Sequence, residues 1–292
     1  NQLTVTREHV TDGWGQNLVL KGTVSINKLA VNNDLILFNN PDSYYIKKDS
    51  NGFSSVPQLI NVVTELLPNP IYAWDFRNKS GSSVIIDSIG NKNAYFYQRN
   101  GTTNNAKTIS SNVGAILNGS TDYIVTDLIN YGSSFSIEVY FKPGNESELN
   151  NSYKRILAAG PDEENWKHND AFLVARDHLI NGNAGFYTSD TNGNPRATMD
   201  FFGYNTDIHF VVTFNHNTNI VNIQSNSVRN TFSLPNDSLN AGDKKIFLGQ
   251  DEQFYSTYWM KGTYYLLRVW DRELAKDHIE HLFNVKDIVD HF

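Results

Sequence analysis

Two stretches of this sequence crowd aromatic rings against hydrogen-bonding side chains. Asp162 to Asp170 carries Glu163, Glu164, Asn165, Trp166, Lys167 and His168, and Gln250 to Trp259 carries Asp251, Glu252, Gln253, Tyr255, Tyr258 and Trp259. Flat rings cover the apolar face of a pyranose, while amides, carboxylates and imidazoles bond its vicinal hydroxyls. Trp166, Tyr255 and Trp259 are therefore candidate stacking faces, and His168 and Asp251 candidate polar contacts. The same rings can instead cover the edge of a sheet, and composition leaves both readings open. A third segment, Asp190 to Arg196, has mainly the composition of a turn. Asp162, Asp190, Asn192 and Asp251 offer the hard oxygen donors that calcium requires. EF-hand spacing is absent, and Asp or Asn in turns usually caps backbone. The expectation is no cofactor, with calcium the one candidate.

Catalysis has weaker support. Retaining glycoside cleavage needs two carboxylates about 5 Å apart, which acids two or four apart on one strand supply. Glu146, Glu148 and Asp162-Glu163-Glu164 lie instead among Asn, Ser, Gly and Pro, where loops are expected. Of eight histidines, only His278 and His281 share a helical face, and no HExxH occurs. Nucleophile elbow, phosphate loop and dinucleotide fingerprint are all missing. Cysteine is absent, which removes thiolate catalysis, disulfides and sulfur-ligated zinc. The chain is expected not to be an enzyme.

Among 292 residues, Lys and Arg number 24 against 31 Asp and Glu, a formal charge of −7. Without a basic cluster there is no surface to neutralise phosphates, so nucleic acid is not an expected partner. Apolar runs fall short of the roughly 20 residues that cross a bilayer, so membrane insertion is not expected, and Asn1 to Val10 lacks a signal pattern. Hydrophobic residues at 39 % and charged ones at 19 % permit a core. Tyr 15, Phe 17 and Trp 5 against Met 2 favour strands, because rings pack well on a pleated surface. Asparagine, about one residue in eight, supplies left-handed turns.

Residues 1–70 are expected to form a small mixed β/α module. Asn17 to Ile26, Lys28 to Val31, Leu35 to Phe38 and Tyr44 to Lys48 are strand-like, with turns at Asn32-Asn33-Asp34 and Ser50-Asn51-Gly52. Ser55 and Gln58 then form a capping-box pattern around Pro57, and Leu59, Val62, Val63 and Leu66 follow at helical spacing. So few residues bury a marginal core, which suggests an adaptor that leans on other protein. From Ile71 onward, short apolar runs recur between Gly, Asn, Asp and Pro, the spacing of a β-sandwich. Phe135, Ile137, Val139 and Phe141 alternate with polar residues, as do Ile208, Phe210, Val212 and Phe214, and Leu267 and Val269 continue the theme. After Asp271, the residues Leu274, His278, Ile279, Leu282 and Phe283 have helical spacing. That helix is expected to lay its apolar residues on an edge or end of a sheet.

Three blocks carry a family resemblance. The first is Trp74-Asp75-Phe76-Arg77 followed by Asp87-Ser88-Ile89-Gly90 and Lys92-Asn93-Ala94. The second runs from Gly114 to Gly119, then Asp122-Tyr123-Ile124 and Phe135 to Pro143. The third is Ile246-Phe247-Leu248-Gly249, Gly262 and Leu267 to Leu274 with the closing helix. In order and spacing across 71–285 they resemble the laminin-G-like branch of the concanavalin A-like lectin and glucanase superfamily. The resemblance implies an all-β jelly-roll sandwich of two antiparallel sheets over 71–292. The glucanase pattern Glu-x-Asp-x-x-Glu is missing.

Fold alone does not determine function. The leading expectation is a non-catalytic recognition module that binds a cell-surface carbohydrate. Modules similar to this one occur in bacterial surface proteins and phage particles, so the expected location is a virion or extracellular surface, with residues 1–70 contacting other subunits. A purely structural subunit that contacts protein, or a glucanase-like hydrolase, are the alternatives.

Overall fold

In the computed structural model, the chain divides into two compact units, Asn1–Leu66 and Leu67–Phe292. The structure describes 2–3, 24–29, 35–39, 42–46, 48–49 and 52–53 as backbone elements, then 67–149, 153–160, 172–176, 183–188, 197–199, 203–226, 228–234, 239, 242–250, 254 and 257–285. In the first unit β1 (Gln2–Leu3), β2 (Val24–Leu29), β3 (Leu35–Asn39) and β4 (Asp42–Ile46) form an antiparallel sheet in that order. A separate hairpin pairs β5 (Lys48–Asp49) with β6 (Gly52–Phe53). The helix expected over 55–66 lies outside the described residues.

The second unit continues with β7 (Tyr72–Asp75), β8 (Val84–Ile86), β9 (Asn93–Asn100), β10 (Thr103–Ala106), β11 (Ala115–Asn118), β12 (Asp122–Thr126), β13 (Ile129–Asn130) and β14 (Phe135–Pro143). After the single turn α1 (Glu146–Leu149) come β15 (Lys154–Gly160), β16 (Phe172–Arg176), β17 (Ala184–Thr188), β18 (Ala197–Met199) and β19 (Ile208–Asn215). Last are β20 (Ile220–Ser225), β21 (Val228–Ser233), β22 (Asp243–Leu248), β23 (Lys261–Trp270) and α2 (Lys276–Val285). They make two antiparallel sheets. A ten-stranded sheet runs β10-β9-β12-β22-β15-β16-β17-β18, with β8 beside β9 and β13 beside β22. A seven-stranded sheet runs β11-β23-β14-β19-β20-β21, with β7 beside β23.

Period-two alternation places the core between the sheets. Ile137 stands between Val212 on β19 and Val269 on β23. Phe135, Val139 and Phe141 join it in one cluster with Phe96, Ile124, Phe172, Val174, Phe186 and Leu248 of the ten-stranded sheet. This is the expected all-β sandwich closed by a C-terminal helix, although the helix sits elsewhere than on a sheet edge or end. Leu274, Ile279 and Leu282 pack on Trp270 and Val211, which project from the outer face of the seven-stranded sheet. The helix therefore covers a second apolar layer. No helix among the described residues is long and apolar enough to cross a membrane.

Turn chemistry follows the asparagine content. Asn78, Asn91, Asn205, Asn219 and Asn226 all have positive φ, a conformation that a short amide side chain tolerates. Asp87 accepts backbone N–H bonds from Ala73, Ile89 and Gly90, so this acid of the first family block holds a turn together. At Gly90 a Cβ would lie 2.4 Å from the Tyr72 ring, so close approach requires glycine there.

Candidate functional site

The ten-stranded sheet is apolar on both faces. Strand register lines up Val84, Tyr95, Val125, Phe247, Ala158, Leu173 and Tyr187 across seven strands on its outer face. Such a row is costly if left in water, because apolar area stabilises the fold only when covered. Cover arrives from the segment between β22 and β23. Phe254 and Trp259 pack on Tyr123 at ring separations of 5.0 and 6.1 Å, and on each other at 5.9 Å. The row is consequently dry at its centre, where Leu173 is 1 % exposed, and opens toward β8, where Val84 is 38 % exposed.

At the open side lies a short aromatic ladder. Alternation along β9 sends Tyr95, Tyr97 and Arg99 to the outer face, and all three are half-buried. The two tyrosine rings stack at 6.0 Å with an interplanar angle of 18°, and Tyr97 continues onto Tyr123 at 5.7 Å. Burial pushes the Tyr95 phenol up, with the Asn93 and Asp127 side chains at its hydroxyl. Burial likewise pushes the Tyr123 phenol up, and both stay neutral hydrogen-bonding groups at physiological pH. The Arg99 guanidinium lies over the Phe254 ring, 3.9 Å from its centroid, and its Nη1 donates to Asn104 Oδ1 at 3.2 Å. Phe254 itself has φ 52°. For a bulky residue that conformation is strained by about 1–3 kcal/mol and persists only where the surroundings impose it. Farther along the face, Arg155 stacks on Tyr258 at 4.2 Å, beside Tyr153.

Of the residues singled out from sequence, Trp259 belongs to this assembly, at 3 % exposure and with its ring against Tyr123 and Phe254. It floors the face rather than presenting a free ring to solvent. Trp166, His168, Asp251 and Tyr255 lie outside the described residues, as do the calcium candidates Asp162, Asp190 and Asn192. Among the described residues no three His, Asp or Glu side chains gather as a metal site. Tyr95, Tyr97, Arg99 and Phe254 were not singled out. The signal available was Tyr, Tyr and Arg two apart on one strand, which points them to one face. It stays ambiguous until the partner strands are known.

A second polar feature lies on the opposite sheet. Glu138 Oε1 and Oε2 accept from Arg268 Nη2 at 2.9 Å and Nε at 2.5 Å, and Oε1 lies 2.5 Å from His209 Nε2. All three side chains are buried. Burial opposes the charge on Glu138, but the Arg268 guanidinium and the His209 imidazole outweigh it and hold the carboxyl at about 2. One carboxylate between two basic groups is the make-up of a structural ion cluster, whereas glycoside cleavage uses a carboxylate pair. Glu148, expected in a loop, lies in α1, where Lys261 pairs with it and lowers its pKa.

No family model matches the sequence, and no curated protein does. Among solved structures, the chain is similar to the Trypanosoma rangeli sialidase in complex with sialic acid, with a TM-score of 0.58 and 11 % identity over 89 % of this chain. It spans 45 % of that sialidase's length. It is also similar to domain 4 of AbnA, an extracellular arabinanase from Geobacillus stearothermophilus, in complex with arabinotriose. There the TM-score is 0.53 at 16 % identity, covering 73 % of this chain and 98 % of that one. At such identities the similarity shows the fold alone, a sandwich of two antiparallel β-sheets.

Proposed function

We propose that the second unit is a non-catalytic carbohydrate-recognition module and that a sugar chain lies on the outer face of the ten-stranded sheet over Tyr95 and Tyr97. The observation that carries this is the half-buried stacked pair, continuous with Tyr123, Phe254 and Trp259, at the open side of an otherwise covered face. Pyranose C–H groups pack on such rings, and Asn93, Asp127 and Asn104 stand beside them as hydroxyl partners. A domain similar in fold is known in complex with arabinotriose, which supports an oligosaccharide as the ligand class. The laminin-G-like resemblance fits the same role, and with it we propose a location on a virion or extracellular surface, residues 1–70 serving attachment to other subunits.

A glycan array probed with the full chain tests this. Binding is expected for wild type and strongly reduced for Tyr97→Ala at unchanged melting temperature; an array without hits overturns the proposal. A second reading has its own observation. Ile86 is 71 % exposed and Ile89 43 %, next to Val84 on the β8 side, which would suit a protein neighbour in a structural subunit. Retained subunit assembly by Tyr97→Ala but not by Ile86→Ser, with no glycan bound by either, would favour that reading.

A further inference from the structure

We infer that the glycan taken by this face carries a carboxylate, and that Arg99 reads it. The inference rests on the carbohydrate proposal above and names its substrate class. Three arginines of the sandwich close on carboxylates of the chain: Arg77 on Asp75, Arg268 on Glu138 and Arg272 on Asp271. Among the described residues Arg99 closes on none. Its one side-chain hydrogen bond among the described residues runs from Nη1 to the Asn104 side chain, which leaves the other N–H donors of the guanidinium for a ligand. The group is also prepared for that role. Its Cζ lies 3.9 Å from the Phe254 ring centroid and its Nη1 donates to Asn104 Oδ1, so two contacts hold the group in place. A planar guanidinium held this way presents the fork that matches a carboxylate in bidentate fashion.

Position adds to the argument. Arg99 follows Tyr97 by two residues on β9, so it lies about 7 Å farther along the same face. That is the reach of a carboxyl substituent on a sugar ring stacked over Tyr97. Phe254 sits beneath Arg99 in a left-handed backbone conformation, held by Tyr123 and Trp259. The strained backbone thus lies directly under a guanidinium that closes on no carboxylate among the described residues. Arg155, the other arginine stacked on this face, is 4 % exposed and so does not offer the same access.

A hexuronic acid and a sialic-type nonulosonic acid both present this carboxylate, and matched probe pairs separate them. Isothermal titration of the full chain would compare trigalacturonate with its methyl ester, and 3′-sialyllactose with lactose. In at least one pair the acid is expected to bind about tenfold more tightly than its neutral partner, the worth of one charge-assisted contact. That preference should shrink at high salt and fall to near unity in Arg99→Gln. Arg99→Lys, which keeps the charge but loses the fork, should recover only part of it, and melting curves would verify that both variants fold. The pair that shows the preference identifies the source of the carboxylate. Equal affinity for acid and neutral partners overturns the inference while the carbohydrate proposal stands. Binding of neither pair overturns it as well, and the array then judges the broader proposal independently.

Discussion

On the outer face of the seven-stranded sheet, α2 lays Leu274, Ile279 and Leu282 over Trp270 and Val211. On the outer face of the ten-stranded sheet the described cover comes from rings of connecting segments, Phe254 and Trp259 over Tyr123 and Tyr153 against Tyr187. The first cover satisfies its own backbone in helical hydrogen bonds and seals the residues it packs on. Beneath the same face Glu138, His209 and Arg268 are buried together. The second cover protects the middle of its sheet and leaves Tyr95, Tyr97 and Arg99 half-buried along β9. One sandwich thus has a face covered by a helix and a face left open at one side, and the proposed ligand binding belongs to the second.

Substitutions separate the two. The largest effect is expected between the sheets, at Ile137→Asp. An unpaired carboxylate in that core costs several kcal/mol or forces protonation, so the cooperative thermal transition should disappear and both faces with it. Glu138→Ala should cost about 3–5 kcal/mol in denaturant unfolding, because it strands Arg268 as a buried, uncompensated charge. Trp259→Ala should cost about 3 kcal/mol through the cavity it leaves under the open face. It should lower glycan affinity as well, since Phe254 and Tyr123 lose their support.

Acid sharpens the comparison. The Glu138 carboxyl is held at about 2, below its ordinary 4.5, by Arg268 and His209 acting against burial. Between those values the unfolded chain binds more protons at this site, so its contribution is complete above about 4.5 and is lost as pH falls through 2. Unfolding midpoints of wild type minus Glu138→Gln, measured across that window, should show the loss. A flat difference would remove the ion cluster from the stability of the closed face. The smallest effect on stability is expected at the open side. Tyr97→Ala should change unfolding free energy by less than about 1 kcal/mol, yet weaken glycan binding by about 1–3 kcal/mol, roughly ten- to hundredfold. Equal loss of stability and binding would make Tyr97 a packing residue.

The sandwich was legible because its signals are local. Phe135, Ile137, Val139 and Phe141 alternate within a single strand, and Leu274, Ile279 and Leu282 repeat within a single helix. The open face was not legible in that way. Tyr95 to Arg99 read as one more alternating strand until the pairing of β9 with β12 sets Tyr97 beside Tyr123. Phe254 then reaches Arg99 from 155 positions away in the chain (254 − 99). The aromatic count near Gln250 to Trp259 did point to a segment that packs on this face, but Trp259 lies in its floor.

Composition and periodicity were enough to specify strands, turns, the closing helix and the absence of cysteine chemistry, because each depends on neighbours a few residues apart. Which face of which sheet stays open, and which groups stand around Arg99, depended on strand order and on the cover each face receives. Glu138, His209 and Arg268 come from three strands, and Tyr97, Arg99 and Phe254 from two distant segments. A side chain's direction is set by period two within its own strand, but its surroundings are set by register with strands far away in sequence, and only the assembled sheets decide that.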